Sequence, residues 1–409
     1  MSKYKLFFLL ANKISHDKEH SLSRPIVNIS TIGVALGITT ILIAMAITNG
    51  YQTIIRDKVV GMSSHIRISN YDNNYSFDVT PLERDLFFLP DLLQNPDIEH
   101  IQFFATKAGI IKTDNQVEGV ILKGIDSTFH WPHFQQNIIE GEKIKIESEK
   151  AGNDILISSR LSKKLHLTSG DKIRAYFVQN PLMQRSFTVS GIFETGLPEF
   201  DESFALVDLR HVQKLNQWDS SMVGGIEILI KNYNKIDEIG IFVNDYVGYH
   251  LKAETVKEIY SQLFEWIELL DTNVFVLMVI IILVCLITLI STFFIIVLEQ
   301  TPTIGILKTL GLKNNGIISV FLIHASKILI KGLLIGNGIS LILILLQYHF
   351  RLIKLDVTIY YIPYIPVELN ITPILAVNFA ILLICIMVLI LPSYYIARKI
   401  TLIKAIRFD

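Results

Sequence analysis

Residues 274–298, VFVLMVIIILVCLITLISTFFIIVL, decide the fold, because they form a charge-free apolar stretch. A helix needs roughly 20 apolar residues to cross the hydrocarbon core of a bilayer, and this stretch is long enough. The rest of the 409-residue chain agrees: 51% of its residues are hydrophobic, 18% are charged, and the mean hydropathy is +0.44. A chain this apolar cannot bury all such side chains beneath a water-soluble surface. The sequence therefore predicts an integral membrane protein.

Three other apolar stretches are long enough to span a bilayer, and a long segment of ordinary soluble composition separates the first span from the second. The predicted spans are 26–49, 273–298, 317–346 and 371–397. The predicted connections are 50–272, 299–316 and 347–370, with flanks at 1–25 and 398–409. The predicted class is a membrane α-helical protein of four transmembrane helices, with a large extracytoplasmic α+β domain inserted between the first and second.

Basic residues at both ends predict the orientation. The flank before the first span carries Lys3, Lys5, Lys13, Lys18 and Arg24, and the last flank carries Arg398, Lys399, Lys404 and Arg407. Four spans place both ends on one side, and the positive-inside rule makes that side cytoplasmic. The inserted domain is then outside. Apolar residues within 3–13 predict a cytoplasmic interfacial helix, and the first span is predicted to be a retained anchor.

The inserted domain shows both strand and helix periodicities. Alternating residues predict strands at 64–69, 187–193 and 225–231. A helical pattern occupies 158–167, and the apolar face of 254–271 predicts a helix that continues directly into the second span. Such continuity would join the inserted domain mechanically to the membrane.

The sequence carries none of the common signatures of catalysis. It contains no GxxxxGK[ST], GxSxG or HExxH motif, so no catalytic residue is predicted. A net charge of −1 gives no electrostatic case for nucleic acid. The two cysteines, Cys285 and Cys385, lie in apolar runs, which excludes a disulfide framework or a thiolate metal site. His16 and His20 have the H-x-x-E-H spacing, but in a short polar flank we interpret them as solvated and predict no metal site.

Polar and small residues within the spans need separate interpretations. His324, Lys327 and Lys331 lie at the predicted cytoplasmic end of the third span, either as anchors that reach the interface or as a polar seam toward a partner. Small residues recur at a spacing of four as Gly33 and Gly37, and as Gly332, Gly336 and Ser340. Such ridges let helix backbones approach closely, either within the chain or between subunits.

The cytoplasmic connection contains the most informative motif, EQTPTIGILKTLG at 299–311. On its own it predicts a short amphipathic helix that begins at Pro302 and ends at Gly311. It also resembles the coupling helix of ABC permeases, R-T-x-E-I-[AG]-I-L-[KR]-T-L-G, with Gln300 and Thr303 at the Arg and Glu positions. The positions that carry the resemblance are Ile304, Gly305, Ile306, Leu307, Lys308, Thr309, Leu310 and Gly311.

Further motifs, in the same order along the chain, are similar to those of one branch of these permeases. They are S-T-I-G-V-A-L-G at 30–37, T-N-G-Y at 48–51, L-K-G-I-D at 122–126 and L-S-K-K-L-H-L-T-S-G-D at 161–171. Together with the layout of spans, they resemble the LolC/LolE-type lipoprotein-releasing ABC transporter permeases of the MacB/FtsX-like superfamily.

This resemblance implies a non-catalytic subunit that extracts lipoproteins from the cell inner membrane and passes them to a periplasmic lipoprotein carrier. It implies two copies of a cytoplasmic ABC ATPase that hold ATP–Mg, with no cofactor on this chain, and a second permease chain, identical or paralogous. Lipid-anchored substrate would enter a cavity between the outer ends of the first two spans. The residues expected either to line that cavity or to be ordinary lipid-facing or helix-packing side chains are Ile47, Thr48, Tyr51, Val274, Phe275 and Met278.

Two points remain open at the level of sequence. The LolC branch has an extended hook that holds the carrier, whereas the corresponding stretch here is short, so it is either a carrier-binding loop or a plain hairpin. Its candidate residues are Asn180, Pro181, Leu182 and Met183. The alternative functions are an FtsX-like mechanical signalling permease, which usually has a smaller outer domain, and a MacB-like efflux permease, which normally carries a fused ATPase.

Overall fold

The computed structural model describes residues 23–71, 77–113, 116–147, 150–179, 181–356, 360 and 362–399. The predicted interfacial helix and the motif from His16 to His20 lie outside this part of the chain. The helices are α1 Ser23–Ser63, α2 Leu89–Gln94, α3 Trp131–Gln135, α4 Ser159–Leu165, α5 Pro198–Asp201, α6 Leu209–Asn216, α7 Ile236–Val247, α8 Val256–Ile259, α9 Ser261–Glu299, α10 Thr301–Thr309, α11 Asn314–Phe350 and α12 Ile371–Lys399. The strands are β1 Ile66–Asn70, β2 Leu82–Glu83, β3 Ile98–Lys112, β4 Val117–Ile125, β5 Ile138–Gly141, β6 Asp154–Ser158, β7 Lys172–Phe177, β8 Met183–Phe193, β9 Phe204–Asp208, β10 Met222–Val223, β11 Gly225–Ile230 and β12 Leu251–Thr255.

The chain divides into a helical unit and a mixed α/β unit. The helical unit comprises 1–52, 267–354 and 364–409, and the mixed unit comprises 53–266 and 355–363. Within the described residues, four helices are long and apolar enough to cross a membrane: α1, α9, α11 and α12. Four apolar helices and a mixed-sheet domain support the prediction of a membrane protein with a separate folded domain.

Two of the long helices extend beyond the predicted spans. The first span is predicted at 26–49, but α1 continues to Ser63. The second is predicted from 273, but α9 already begins at Ser261. The predicted helix over 254–271 is wrong at its beginning, because residues 251–255 pair with β1 as a strand. Tyr260, with φ −114° and ψ 43°, then separates α8 from α9.

The small-residue ridges pack within the chain. A Cβ added to Gly37 would lie 2.9 Å from the Cys285 sulfur on α9. On α11, a Cβ at Gly332 would lie 2.7 Å from Val34, and one at Gly336 would lie 2.6 Å from the Ala35 carbonyl oxygen. Both ridges therefore let α1 pack closely against its neighbours: Gly37 meets side chains of α9, and Gly336 on α11 meets the backbone of α1. Of the two interpretations left open by the sequence, these contacts favour intramolecular packing.

A glycine substitution on α11 tests this packing. Gly336→Ala is expected to destabilise the protein by about 1–3 kcal/mol, because its methyl group would collide with backbone that cannot move aside. The matched control is Gly338→Ala on the same helix, where the described atoms leave the new Cβ in open space. That control is expected to be neutral, or stabilising by up to about 1 kcal/mol through helix propensity. Thermal melting of the purified protein in detergent gives the comparison, and equal melting temperatures would contradict the packing.

Mixed strand pairing organises the α/β unit. Pairings β3–β4, β4–β9, β9–β6, β6–β8, β8–β7 and β7–β3 form a closed circuit, with β4–β9 and β6–β8 parallel. From β3 the sheet continues outward as β11, β1 and β12. The strands predicted near 64–69, 187–193 and 225–231 are confirmed as β1, β8 and β11, and the helix predicted within 158–167 is confirmed as α4.

Candidate coupling and substrate sites

The predicted coupling helix is present as α10, with Pro302 in its first turn and Gly311 at φ +88° just after its end. Its apolar residues face two ways. Ile304 is 1% exposed and belongs to the core of the helical unit, and Gly305 is also buried. Ile306 and Leu310, four residues apart on one face, are 61% and 78% exposed. One face of the helix therefore packs into the core of the helical unit, and the opposite face is exposed.

The other residues of the coupling motif are either half-buried or take part in hydrogen bonds at the ends of α10. Leu307 and Lys308 are half-buried, and the backbone N–H of Gly311 donates to the Lys308 carbonyl over 3.0 Å, which ends the helix. Where the permease motif has Arg and Glu, Thr303 Oγ1 donates to Gln300 Oε1 over 2.9 Å. A neutral hydrogen bond thus joins the two positions that depart from the motif.

The residues predicted to line a substrate cavity do not share one environment. On α1, Thr48 and Tyr51 are buried and Ile47 is half-buried. The backbone of Pro366 and Val367 lies against Gly50 nearby, so residues after α11 cover this part of α1.

On α9 none of the predicted cavity residues is fully buried. Phe275 is 60% exposed beside exposed Val276 and Leu277. Val274 is half-buried, and Met278 packs against the core of the helical unit. Phe275 is thus the most exposed of the six predicted cavity residues, and Thr48 and Tyr51 are the least exposed.

The candidate carrier loop is the tip of the hairpin formed by β7 and β8. Met183 pairs with Phe177 as the first residue of β8, so it belongs to a strand. Pro181 and Leu182 are exposed, and Leu182 and Val178 present apolar side chains to solvent. Asn180 lies outside the described residues. The geometry is that of a short hairpin connection with an apolar tip.

A buried polar network at the end of α1 was not predicted from the sequence. Lys123 Nζ donates to Glu227 Oε1 over 2.6 Å and also to the carbonyl of Met62, in the last turn of α1. Gln102 Nε2 donates to Glu227 Oε2 over 2.7 Å and to Ser64 Oγ over 3.2 Å. Lys123 is 3% exposed and Glu227 is fully buried. The network therefore fixes the end of α1 to strands β3, β4 and β11.

Burial and the neighbouring charge have opposite effects on the pKa of Lys123. Desolvation lowers the pKa of Lys123, and the adjacent Glu227 carboxylate partly offsets that effect. Nearby, burial lowers the pKa of His65 to about 3, with further lowering by His133 and Arg56. His65 is therefore neutral in the folded protein, and its Nδ1 accepts from the Ile230 backbone N–H over 3.2 Å.

Tyr233 connects the two long helices inside the α/β unit. The guanidinium carbon of Arg56, on α1, lies 4.6 Å from the centre of the Tyr233 ring. Phe264, on α9, stacks on the same ring with centroids 6.4 Å apart. Cation–π and aromatic contacts of this kind each contribute about 0.5–1.5 kcal/mol. The α1 and α9 segments within this unit are therefore held against a common side chain.

Two family profiles match the chain. One, described as the MacB-like periplasmic core domain, matches residues 29–239. The other, described as FtsX-like permease C-terminal, matches residues 275–400. The first contains the network at the end of α1, and the second contains α10, so these two sites lie within matched regions.

Relatives align over nearly the whole chain. The lipoprotein-releasing system transmembrane protein LolC of Xylella fastidiosa strain Temecula1 is 25% identical, over 93% of this chain and 93% of its own length. LolC of Buchnera aphidicola subsp. Schizaphis graminum is 24% identical, over 91% and 92%. LolE of Haemophilus influenzae is 22% identical, over 91% and 92%. The resemblance to LolC/LolE-type permeases is confirmed.

Proposed function

Because the chain belongs to the family of permeases with a MacB-like periplasmic core domain, followed here by an FtsX-like permease C-terminal region, we propose that it is the permease subunit of an ATP-driven ABC transporter that releases lipoproteins. The observation that carries the proposal is the alignment with LolC and LolE relatives over 91–93% of the chain, from before the inserted domain to the last helix. Both ends of the chain are in the cytoplasm, and the inserted domain is in the periplasm.

The energetics of the reaction explain why such a subunit needs partners. Removing an acyl chain of about 16 carbons from lipid costs on the order of 12 kcal/mol, at roughly 0.8 kcal/mol per CH₂. The sequence contains no nucleotide-binding motif. Two copies of a separate ABC ATPase therefore supply the work, and a second permease chain, identical or paralogous, completes the complex.

Two structural features support transmission of that work. The exposed face of α10, Ile306 and Leu310, is the surface that the ATPase contacts. The buried network of Lys123 and Glu227 fixes the last turn of α1 to the sheet. Because α1 is one continuous helix from Ser23 to Ser63, movement of its membrane segment is passed to the inserted domain. The lipoprotein leaves for a periplasmic carrier, with the tip of the β7–β8 hairpin as the candidate contact.

A substitution on α9 tests the substrate path. Phe275→Asp is expected to reduce lipoprotein release roughly 100-fold, since an aspartate in an apolar environment costs roughly 2.5–3.5 kcal/mol. Assembly with the ATPase should be unchanged. Release of a radiolabelled lipoprotein from proteoliposomes measures transport, and copurification of the ATPase measures assembly.

The control is Leu375→Asp on α12, which introduces the same charge at an equally exposed apolar residue near the start of another helix. Release should remain near the wild-type level in this variant. Normal release by Phe275→Asp, or equal loss in both variants, would remove Phe275 from the substrate path.

Depletion of the protein tests the function itself. Lipoproteins destined for the outer membrane should accumulate in the inner membrane, as measured by membrane fractionation. Unchanged sorting would refute lipoprotein release. Unchanged sorting with a cell-separation defect would favour an FtsX-like signalling permease, and unchanged sorting with increased drug sensitivity would favour a MacB-like efflux permease.

A further inference from the structure

A cluster of metal-binding side chains lies in the inserted domain. Ligand atoms of Glu99, His130 and His133 all lie within 4.8 Å of one another. The rings of His130 and His133 have centroids 4.9 Å apart, and the ring of His100 lies 5.3 Å from that of His130. These residues are far from the coupling helix and from the candidate substrate path in the sequence, and the proposed transport function assigns them no role.

Strand irregularity and helix periodicity bring the cluster together. The pairing of β3 with β11 shifts register between His100↔Leu229 and Ile98↔Ile230, so Glu99 lies at a β-bulge. Bulges redirect side chains, and Glu99 is exposed at this one. His130 is the residue just before α3 and His133 lies within it, and their ring centroids, 4.9 Å apart, show that the two imidazoles are neighbours.

Buried groups hold the histidine turn in place. The backbone N–H of His130 donates to Gln102 Oε1 over 2.8 Å, and Gln102 in turn donates to the buried Glu227. Phe129 and Phe134, on either side of His130, are 5% and 0% exposed. The backbone of the turn that carries both histidines is therefore held in place by contacts outside the cluster.

The donor set selects the class of ion. Two imidazoles and one carboxylate suit zinc and similar first-row divalent ions, whereas magnesium and calcium prefer oxygen ligands alone. Tetrahedral zinc at about 2.0–2.1 Å from each ligand needs ligand atoms about 3.4 Å apart. The ligand atoms, at most 4.8 Å apart, therefore have to move closer, and the exposed Glu99 and the two half-exposed histidines are free of the close packing that would prevent such side-chain rotation. We propose that Glu99, His130 and His133 bind one zinc-class divalent cation, with solvent at the fourth position.

Such an ion would join β3 to α3 beside the end of α1. The carbonyl oxygen of His133 lies 2.8 Å from the position of a Cβ on Gly61, so α3 is packed directly against α1. Binding is therefore expected to raise the melting temperature of the inserted domain, because the ion binds the folded form and not the separated ligands.

Titration of the full-length protein tests the site. The protein is purified in detergent with a tag that contains no histidine, and Zn²⁺ binding is measured by calorimetry. Co²⁺ absorption then reports tetrahedral coordination. Wild type is expected to bind one ion per chain. His130→Gln combined with His133→Gln should weaken binding at least about 100-fold, and Glu99→Gln should weaken it about 10-fold or more.

Two controls locate the binding. His250→Gln removes an exposed histidine from the same domain, and His16→Gln with His20→Gln removes the motif near the beginning of the chain. Both should bind like wild type. Absence of saturable binding by wild type, unchanged binding by the His130 and His133 variant, or loss only in the His16 and His20 variant would overturn the proposal. If the double histidine variant has a lower melting temperature than wild type in the absence of metal, zinc binding by the Glu99→Gln variant is the test of the site, because Glu99 is exposed.

Discussion

Replacing both Ile306 and Leu310 with aspartate is expected to abolish binding of the ATPase subunit. Ile306 on α10 and Leu310, the residue that caps its C-terminal end, are 61% and 78% exposed. Burial of each at an interface contributes roughly 1.5–3 kcal/mol, and each aspartate adds the cost of desolvating a charge. The combined loss corresponds to at least roughly a 1,000-fold weaker complex. Copurification of the ATPase with the variant permease should therefore fall below detection.

The control for this experiment adds a negative charge without removing an apolar contact. Asn315→Asp is suitable, because Asn315 is exposed in the first turn of α11, where an acidic residue is favourable. It should retain the ATPase. Intact copurification by the Ile306 and Leu310 variant would exclude this face as the docking surface. Leu307→Asp is also expected to lose the ATPase, but Leu307 is half-buried in its own chain, so that variant would also disturb the permease.

Hydropathy and motif order predicted the architecture well because both report local properties. Long apolar stretches predicted the four long helices, and a proline followed by a glycine predicted the limits of α10. The local sequence did not predict in the same way which face of α10 is exposed. Ile304 matches the coupling motif as well as Ile306 does, yet Ile304 packs into the helical core. That difference depends on where α11 and α9 pass, which is tertiary information.

The polar network and the metal-binding cluster also depend on tertiary contacts that the local sequence does not predict. Lys123 lies in the L-K-G-I-D motif, and its position as the one charge in the apolar run from Val120 to Ile125 could have identified it as a buried lysine. Its partner Glu227 is more than one hundred residues away in the sequence. Glu99, His130 and His133 are likewise brought together by a bulge and a helical turn. The local H-x-x-E-H spacing at His16 was conspicuous in the sequence, whereas the dispersed cluster had no spacing to recognise.

The buried ion pair at the end of α1 is expected to contribute strongly to stability. Lys123→Met leaves the fully buried Glu227 carboxylate without its cation and removes the donor to the Met62 carbonyl. Loss of one partner from such a pair costs about 3–5 kcal/mol. Denaturant unfolding in detergent, followed by tryptophan fluorescence, measures this loss. Lys164→Met is the control, because its pair with Glu118 is exposed and contributes at most about 1 kcal/mol.

A double variant separates stability from transmission. Lys123→Met with Glu227→Gln removes the orphaned charge while Gln102 and Ser64 keep a polar partner, so most of the lost stability should return. The Met62 carbonyl still loses its donor, and the end of α1 is then held less firmly. If α1 transmits force to the inserted domain, this variant should fold and hydrolyse ATP with its partner but release lipoprotein less efficiently. Wild-type release by the double variant would show that the ion pair serves folding alone. If, in addition, the single variant Lys123→Met lost no more stability than Lys164→Met, the ion pair would serve neither role.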